Sequence, residues 1–311
     1  MPPLVLVITG PTATGKTSLG VELAKKFNGE VISADSMQIY EHMDIGTAKV
    51  TPEETQGIPH HMVGCVSPFE EYSAARFVED AAPICEDIIA RGKLPIIVGG
   101  TGLYIDSLLA GRTFAERGNA EVRDRLMAEY DELGGEALYE RLKEIDPEAA
   151  ARLHANDKKR IVRALEIFEV TGITITEHDR ASREIPPRFE AVKIALTFEN
   201  REDLYARIDK RVDIMAEMGL VDEVTKLLDM GLSEKHTAMQ AIGYKELVDA
   251  IKNGSDINAA LDKIKQESRR YAKRQLSWLR RDSEINWISW KKTPQIDEAI
   301  QLSTEFLNKH R

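Results

Sequence analysis

The sequence predicts an α/β fold, in which a parallel β-sheet is covered by helices on both faces and carries an all-helical insertion domain. Short apolar runs alternate with helical patterns in the first third of the chain, as in parallel sheets whose strands are joined by helices. A glycine-rich turn joins the first apolar run to the first helical pattern. Between about residues 111 and 189 the strand patterns stop and helical periodicity continues.

Each strand is predicted from a short, continuous apolar run, which suits a strand that is buried on both faces. The four predicted strands are residues 4–8, 31–33, 94–98 and 191–198. Residues 18–27 and 72–89 are predicted helices between them, because their apolar residues recur at helical spacing. In such a sheet, ligands bind at the carboxyl ends of the strands.

The middle of the chain predicts a separate helical domain. A glycine pair and an Asp-Pro step separate three helical patterns there, at residues 122–133, 136–145 and 158–171. We therefore expect a core formed by residues 1–112 and 190–311, interrupted by a helical insertion at residues 113–189. All of the chain from residue 203 onward is predicted to be helical.

Composition and charge limit the class of protein. The chain has 311 residues, 42% of them hydrophobic and 30% charged, which is typical of a globular protein. No apolar run is long enough to span a bilayer and no signal-peptide pattern precedes the first strand, so a cytoplasmic protein without membrane contact is expected. Cys65 and Cys85 are expected to be buried free thiols. The net charge of −10 argues against nucleic-acid binding over the whole surface, so any such contact has to be local.

A phosphate-binding loop follows the first strand and begins the first helix. The pattern G-x-x-x-x-G-K-[ST] is matched by Gly10, Pro11, Thr12, Ala13, Thr14, Gly15, Lys16 and Thr17. The glycines let successive N–H groups face one anion, Lys16 supplies a cation, and the Thr17 hydroxyl suits a Mg²⁺ ion. The core is therefore predicted to be P-loop NTPase-like. Any di- or triphosphate would fit this loop, so the motif does not establish ATP as the ligand.

Two further polar residues follow strands and are candidates for the same site. Asp35, after the second strand, could hold a metal ion, act as a general base or cap a turn of helix. Thr101 lies among glycines after the third strand. It could contact a ligand closely or cap the next helix.

Several segments, in this order and over nearly the whole chain, resemble the tRNA dimethylallyltransferases, also called isopentenyl-tRNA transferases. The phosphate loop is followed by SADSMQIY, DIGTAK, IPHH, GGTGLY, KRIVRALE, YARIDKR and YAKRQLSWLR, at residues 33–40, 44–49, 58–61, 99–104, 159–166, 205–211 and 271–280. Thr14 and Val50 depart from the family's common Ser and Pro, away from the proposed chemistry. The absence of a zinc-finger extension implies a bacterial type.

The resemblance implies that the loop holds the diphosphate of dimethylallyl diphosphate, with Lys16, Thr17 and Mg²⁺ neutralising the leaving group. It implies that Asp35 is the general base and that Thr101 contacts the reacting centre. Arg207 and Arg211 match basic residues that reach the same diphosphate. An allylic carbon ionises readily once the leaving charge is neutralised, so the enzyme needs chiefly an oriented nucleophile and a proton acceptor.

The resemblance also implies tRNA as the partner, gripped by the helical insertion of a monomeric enzyme, with an adenine flipped into the site. The implied tRNA-contacting residues are Asp35, Ser36, Met37, Gln38, Thr101, Arg123, Lys159, Arg160, Ile161, Val162, Arg163, Lys273 and Arg274. Residues 263–281 hold eight Lys or Arg and a single acid, Glu267. This basic patch fits RNA contact, although the solvated face of a helix would show the same pattern.

Three other functions fit parts of the sequence. A small-molecule P-loop kinase explains the early segments but not the helical insertion or the basic patch. Prenyl transfer to free AMP, ADP or ATP shares the core and needs less apparatus for RNA. A non-catalytic RNA-binding protein would not need Lys16, Asp35 and Thr101 together. The adjacent His60 and His61 point oppositely on an extended segment, so they are expected to be poor metal co-ligands, and Trp287 and Trp290 are expected to pack rather than stack on bases.

Overall fold

A computed structural model describes residues 2–111 and 119–310, and its centre is one six-stranded sheet. The strands are β1 (Leu4–Thr9), β2 (Gly29–Ser33), β3 (His60–His61), β4 (Leu94–Val98), β5 (Glu190–Phe198) and β6 (Asn286–Trp290). Their order across the sheet is β3-β2-β4-β1-β5-β6, and every pairing is parallel. The strand that carries the phosphate loop, β1, thus lies between β4 and β5.

Helices cover both faces of the sheet, as predicted. Their bounds are α1 (Lys16–Phe27), α2 (Pro52–Thr55), α3 (Ala74–Ala90), α4 (Gly102–Ala110), α5 (Ala120–Leu133), α6 (Gly135–Ile145), α7 (Pro147–Ala150), α8 (Lys158–Thr171), α9 (Ile175–Arg183), α10 (Arg201–Glu217), α11 (Leu220–Asp229), α12 (Tyr244–Asn253), α13 (Ile257–Leu279) and α14 (Ile296–Lys309).

Strand β1 shows why the core has two halves. Val5 and Val7 pack with apolar residues of α3, α11 and α12, whereas Leu6 and Ile8 pack with α1, α10 and α14. Successive side chains on a strand point to opposite faces, so a continuous apolar strand serves two cores at once. The α/β prediction is confirmed.

The expectation that the chain is helical from residue 203 onward is wrong at β6. Residues 286–290 pair in parallel with β5 along its second half. Trp290 of β6 is 2% exposed, and its indole Nε1 donates to the Thr14 carbonyl oxygen at 2.9 Å. A five-residue strand at the sheet edge, in which Asn286 and Ser289 interrupt the apolar residues, carries too short a pattern to be separated from loop. Trp290 is a packing residue, as expected.

The chain divides into two compact units, which we call the core unit (Met1–Leu109 and Arg188–Arg311) and the helical unit (Ala110–Pro187). The helical unit has its own apolar core, in which Leu126, Leu138, Leu142, Ile161 and Leu165 are buried. The insertion was expected at residues 113–189, and a role of this unit in gripping RNA remains a prediction.

The two cysteines differ in burial. Cys85 is buried, but Cys65 is exposed, so the expectation of two buried thiols is wrong for Cys65. The segment around Cys65 is irregular loop, where sequence gives little indication of burial. Within residues 2–111 and 119–310, no helix is both long and apolar enough to cross a membrane.

Candidate active site at the carboxyl ends of the strands

The phosphate loop between β1 and α1 is held in shape by the protein itself. Gly10 has φ +135°, and a Cβ there would lie 2.4 Å from the Leu196 carbonyl oxygen of β5. The buried Thr14 hydroxyl donates to the Pro11 carbonyl oxygen at 2.8 Å. Gly15, at the N-terminus of α1, offers no side-chain cap, which leaves the first N–H groups of the helix for an anion.

Three cations gather around this loop. Lys16 Nζ donates to the Pro11 carbonyl oxygen at 2.7 Å, and Arg211 Nη1 lies 3.4 Å from the Thr12 hydroxyl. Arg207, one helical turn earlier on α10, donates through Nε to the Ala13 carbonyl oxygen at 3.1 Å. Burial and the nearby Arg211 lower the pKa of Lys16 to about 8, against the opposing charge of Asp35. Like charges held together in a buried place favour an anionic ligand.

Asp35 follows β2 and shares a cavity with Lys16 and Thr17. Its Oδ1 accepts hydrogen bonds from the backbone N–H groups of Met37 and Gln38, at 2.9 and 3.3 Å. The capping alternative is therefore realised in part, because this oxygen caps a turn, and no helix follows. Among the described residues, Oδ2 has no hydrogen-bond donor, which leaves it available to a ligand.

Thr101 begins α4 through its backbone carbonyl oxygen, which accepts from the Ile105 N–H at 3.2 Å, while its side chain connects the ends of β4 and β2. Its Oγ1 accepts from the Ser36 N–H at 3.1 Å and lies 3.4 Å from the Ser36 hydroxyl. Thr101 thereby holds the turn that begins at Asp35. Ser36 and the neighbouring Gly99 and Gly100 line the cavity, and the Thr101 side chain also interacts with Tyr271, which lines it as well.

The cavity has a volume of about 380 Å³ and combines a charged lining with an apolar one. Helices α10, α11 and α13 contribute most of the apolar side chains, among them Ile208, Val212, Met215, Leu220 and Ile264. The charged side chains are those of Lys16, Asp35, Arg211, Lys245 and Arg274. A ligand with a small hydrocarbon group attached to an anionic group would match both parts.

Sequence reasoning assigned no site role to two residues of α13, Tyr271 and Gln275. Both line the cavity, and Gln275 Nε2 donates to the Gly100 carbonyl oxygen at 2.9 Å. Burial and the charge of Asp35 raise the pKa of Tyr271 to about 12, although interactions with Thr101 and Gln275 oppose that shift. The spacing of Tyr271, Arg274 and Gln275 on one helix face could have indicated their shared surroundings.

On α8, the predicted RNA-contacting residues divide by exposure. Ile161 and Val162 are 0% and 2% exposed, so their side chains build the core of the helical unit, and contact of this segment with RNA stays a prediction. They lie on the apolar stripe of an amphipathic helix, which turns them away from solvent. Lys159 is exposed and has no acidic partner among the described residues.

The arginines near α8 have acidic partners of their own. Arg160 pairs with Asp157 at 2.7 Å. Arg123 and Arg163 both bind the fully buried Glu166, at 3.2 and 2.9 Å. Since a buried carboxylate needs compensation, these two arginines stabilise the helical unit whatever else they contact.

Among the described residues, three of the eight cations of the basic patch at residues 263–281 form ion pairs. Lys265, Arg269 and Arg270 pair with Asp213, Asp209 and Glu267, respectively. Lys273 and Arg274 are exposed and have no acidic partner in residues 2–111 and 119–310. Lys263 on the same helix is likewise exposed and unpaired in the described part of the chain, so α13 offers positive charge that a phosphate could use.

The two adjacent histidines make contacts in separate places. His61 Nε2 lies 2.9 Å from a carboxylate oxygen of Glu30, whereas His60 Nδ1 lies 2.8 Å from the Ile58 carbonyl oxygen.

Comparison with known proteins gives matches over nearly the whole chain. The family model described as "IPP transferase" matches residues 38–282, and that of "Isopentenyl transferase" matches residues 3–62. The tRNA dimethylallyltransferase of Caldanaerobacter subterraneus is 49% identical over 286 residues, covering 91% of each chain. That of Carboxydothermus hydrogenoformans is 47% identical over 302 residues, covering 97% of this chain and 95% of its own.

Solved structures show the same relationship. The tRNA isopentenylpyrophosphate transferase of Bacillus halodurans superposes with a TM-score of 0.73 at 40% identity, covering 99% of this chain and 98% of that one. A eukaryotic dimethylallyltransferase acting on tRNA superposes with a TM-score of 0.84 at 32% identity, covering 99% of this chain and 80% of its own.

Proposed function

Since the chain belongs to the IPP transferase family, we propose that it transfers a dimethylallyl group from dimethylallyl diphosphate to N6 of the adenine 3′-adjacent to the anticodon in tRNA. Diphosphate is the second product. The observation that carries the proposal is the single cavity in which Lys16 and Arg211 lie near Asp35 and beside apolar side chains. A site for an allylic diphosphate needs cations around the diphosphate and apolar side chains around the hydrocarbon group. It also needs a base that takes a proton from the acceptor.

In the proposed reaction, the bond between the allylic carbon and the diphosphate oxygen breaks, and the diphosphate keeps the electron pair. Lys16, Arg211 and the N–H groups at the start of α1 face the charge that develops on that oxygen. Arg207 acts from outside the cavity, by holding the Ala13 carbonyl oxygen. Hydrogen bonds within the protein hold these groups around the loop, so little reorganisation is needed during bond breaking.

The adenine N6 forms the new bond to the allylic carbon, and Asp35 takes the proton that N6 loses. The N–H groups of Met37 and Gln38 fix one carboxylate oxygen, so the other is oriented toward its acceptor role. Thr101 holds this turn through Ser36. Asp35 is thus the catalytic base of the proposal, and Thr101 is a positioning residue.

Magnesium is the proposed cofactor. The Thr17 hydroxyl and the Asp35 carboxylate both line the cavity, and oxygen ligands of this kind are what Mg²⁺ prefers. The described residues contain no group of three or more His, Cys, Asp or Glu that could hold a metal, so substrate oxygens and water would complete the coordination. When bound, the ion would neutralise part of the charge on the diphosphate.

For the tRNA, we propose backbone contacts from the exposed cations of each unit. Lys159, Arg160, Arg123 and Arg163 serve on the helical unit, and Lys273 and Arg274 serve on α13. Asp35, Ser36, Met37 and Gln38 would contact the target base, which has to leave its stack to reach a cavity of this kind. The proposed enzyme is a monomer that acts in the cytoplasm, where its tRNA substrate would be found.

The test is transfer of radiolabelled dimethylallyl diphosphate in the presence of Mg²⁺, with unmodified tRNA, AMP and ATP as separate acceptors. Label in tRNA alone, on one adenine beside the anticodon, is the expected result. Label in AMP or ATP would make the chain a transferase for free nucleotides. Consumption of ATP without tRNA, and no prenyl transfer, would instead indicate a small-molecule kinase.

A further inference from the structure

Glu223 of α11 is a buried carboxylate that lies outside the chemistry described so far. It is 9% exposed, and its Oε2 accepts from the N–H groups of Asp44 and Ile45, both at 2.8 Å. Its Oε1 accepts from the Gly46 N–H at 3.0 Å and from the Tyr244 hydroxyl at 2.6 Å. One side chain thus binds three consecutive amides of one loop, residues 44–48, which we call the anchored loop.

The anchored loop forms part of the cavity and is connected to the proposed base. Gly46 and Thr47 line the cavity. Gln38 Nε2 donates to the carbonyl oxygens of Thr47 and Ala48, at 3.2 and 3.1 Å. The Gln38 backbone N–H in turn donates to Asp35 Oδ1. A continuous set of hydrogen bonds therefore runs from Glu223 through the loop to Gln38 and Asp35.

Close packing against Tyr244 restricts the position of the anchored loop. A Cβ on Gly46 would lie 2.5 Å from the ring of Tyr244, so the loop backbone rests directly against that ring. The ring is fully buried at the start of α12. Because the hydroxyl of Tyr244 also binds Glu223, the loop is held from one side by hydrogen bonds and by an aromatic surface.

The partners of Glu223 indicate a positioning role. Within the described residues, Glu223 forms no ion pair, and its charge is compensated by N–H and O–H donors alone. A buried carboxylate without a cation is costly unless each oxygen is well supplied with donors. Here three of the four donors belong to the anchored loop, so releasing the loop would leave the carboxylate unsatisfied. The position of the anchored loop and the burial of the Glu223 carboxylate therefore depend on each other.

We infer that Glu223 is a positioning residue for prenyl transfer, which acts through the anchored loop and Gln38 to hold the acceptor adenine against Asp35. The inference rests on the proposed function. Lys16, Arg211 and the phosphate loop hold the diphosphate from other elements, so Glu223 governs the acceptor step and has little effect on diphosphate binding.

The direct test replaces Glu223 with Gln, with Tyr244→Phe as the matched control. The amide keeps one acceptor oxygen and turns an NH₂ group toward backbone N–H donors, so the loop loses its anchor. Tyr244→Phe removes a single donor and keeps the ring against Gly46. At saturating substrates, we expect the single-turnover rate to fall at least about tenfold in Glu223→Gln and less than about threefold in Tyr244→Phe. The affinity for inorganic diphosphate should stay within about twofold of the wild type.

A double-mutant cycle separates this role from a general loss of structure. If Glu223 acts through Gln38, then Gln38→Ala should slow the wild-type enzyme strongly but add less than about a twofold loss to Glu223→Gln. The inference would be overturned if the double variant lost rate by the product of the factors lost in the two single variants. So would a fall in diphosphate affinity equal to the fall in rate, because that result indicates damage to the whole cavity.

Hydrogen exchange of the amides of Asp44, Ile45 and Gly46 tests the anchor without any substrate. Exchange at these three amides should accelerate in Glu223→Gln, while exchange in β1 and β4 stays as in the wild type. Unchanged exchange at the loop would overturn the inference even if the rate fell. If the wild-type chain transferred no prenyl group, the proposed function would fail, and the exchange result would still decide whether Glu223 anchors the loop.

Discussion

At the scale of single residues, Asp35 combines two tasks that a substitution can separate. Oδ1 holds a turn through two backbone N–H groups, and the carboxylate as a whole is the proposed base. Asp35→Asn keeps an acceptor oxygen for the turn and removes the basic function, because an amide does not take up a proton at neutral pH.

We therefore expect Asp35→Asn to lower the single-turnover rate by about a hundredfold or more, the usual contribution of a general base. The affinity for tRNA should change much less. Asp35→Ala should cost more than Asp35→Asn, since it also frees the turn. Single-turnover transfer at saturating tRNA is the measurement, and an Asn variant with the rate of the wild type would remove Asp35 from the role of base.

At the scale of elements, helix α8 contains basic residues of two kinds. Lys159 is exposed and unpaired among the described residues, whereas Arg163 binds the buried Glu166. Substitution of each by Ala should therefore affect different properties of the protein.

Lys159→Ala should weaken tRNA binding and reduce the slope of log affinity against log salt by about 1, the value for one phosphate contact. The melting temperature should stay unchanged. Binding titrations at several salt concentrations test this. Arg163→Ala is the matched variant, and it should lower the melting temperature because Glu166 loses one of its two cations. A slower chemical step in Lys159→Ala at saturating tRNA would contradict a pure binding role.

Strand β6 affects the phosphate loop through Trp290. Trp290→Phe keeps an aromatic ring in the core and removes the N–H group that binds the Thr14 carbonyl oxygen. We expect weaker binding of inorganic diphosphate, by about threefold to tenfold, because one net hydrogen bond contributes about 1 kcal/mol. Ile288→Val, a neighbouring change on the same strand, should leave diphosphate binding unaltered. Equal effects of the two variants, measured by calorimetry, would mean that packing alone is responsible.

At the scale of the whole molecule, stability in acid should depend in part on the buried carboxylate of Glu30. Glu30 of β2 is 2% exposed and binds Arg91, Lys93 and His61. The hydrogen bonds from Arg91, together with those from Lys93 and His61, hold the pKa of Glu30 well below its ordinary value, in spite of burial. Neighbouring charges thus outweigh desolvation at this site.

A folded-state pKa below that of the unfolded chain contributes stability above the unfolded value, and this contribution is lost as the pH falls through the folded value. Glu30→Gln should therefore be less stable than the wild type by about 1–2 kcal/mol at neutral pH, a range that allows for the partly exposed partners. The difference should shrink as the pH falls below about 4.3, the ordinary value of a glutamate. Denaturant titrations across that range test this, with Asp87→Asn as a control. A difference that did not vary with pH would exclude a contribution from ionised Glu30.

Short-range patterns determined the class of fold and half of the site in advance. Continuous apolar runs specify strands that are buried on both faces, and the loop at residues 10–17 specifies its own conformation through Gly10, Gly15 and the start of a helix. The turn after β2 and the glycines after β4 were located from sequence because parallel strands bring their carboxyl ends together at one edge. Local hydrophobicity and backbone conformation decide all of these features.

Only the tertiary structure decided which distant residues complete the site. Tyr271 and Gln275 reach the cavity because α13 packs beside the strand ends, and Trp290 reaches Thr14 because a short edge strand adds to β5. Glu223 binds a loop nearly 180 residues earlier in the chain, and no periodicity records such a contact. These contacts depend on how elements that are far apart in sequence pack against each other, and a local sequence pattern carries no information about that packing.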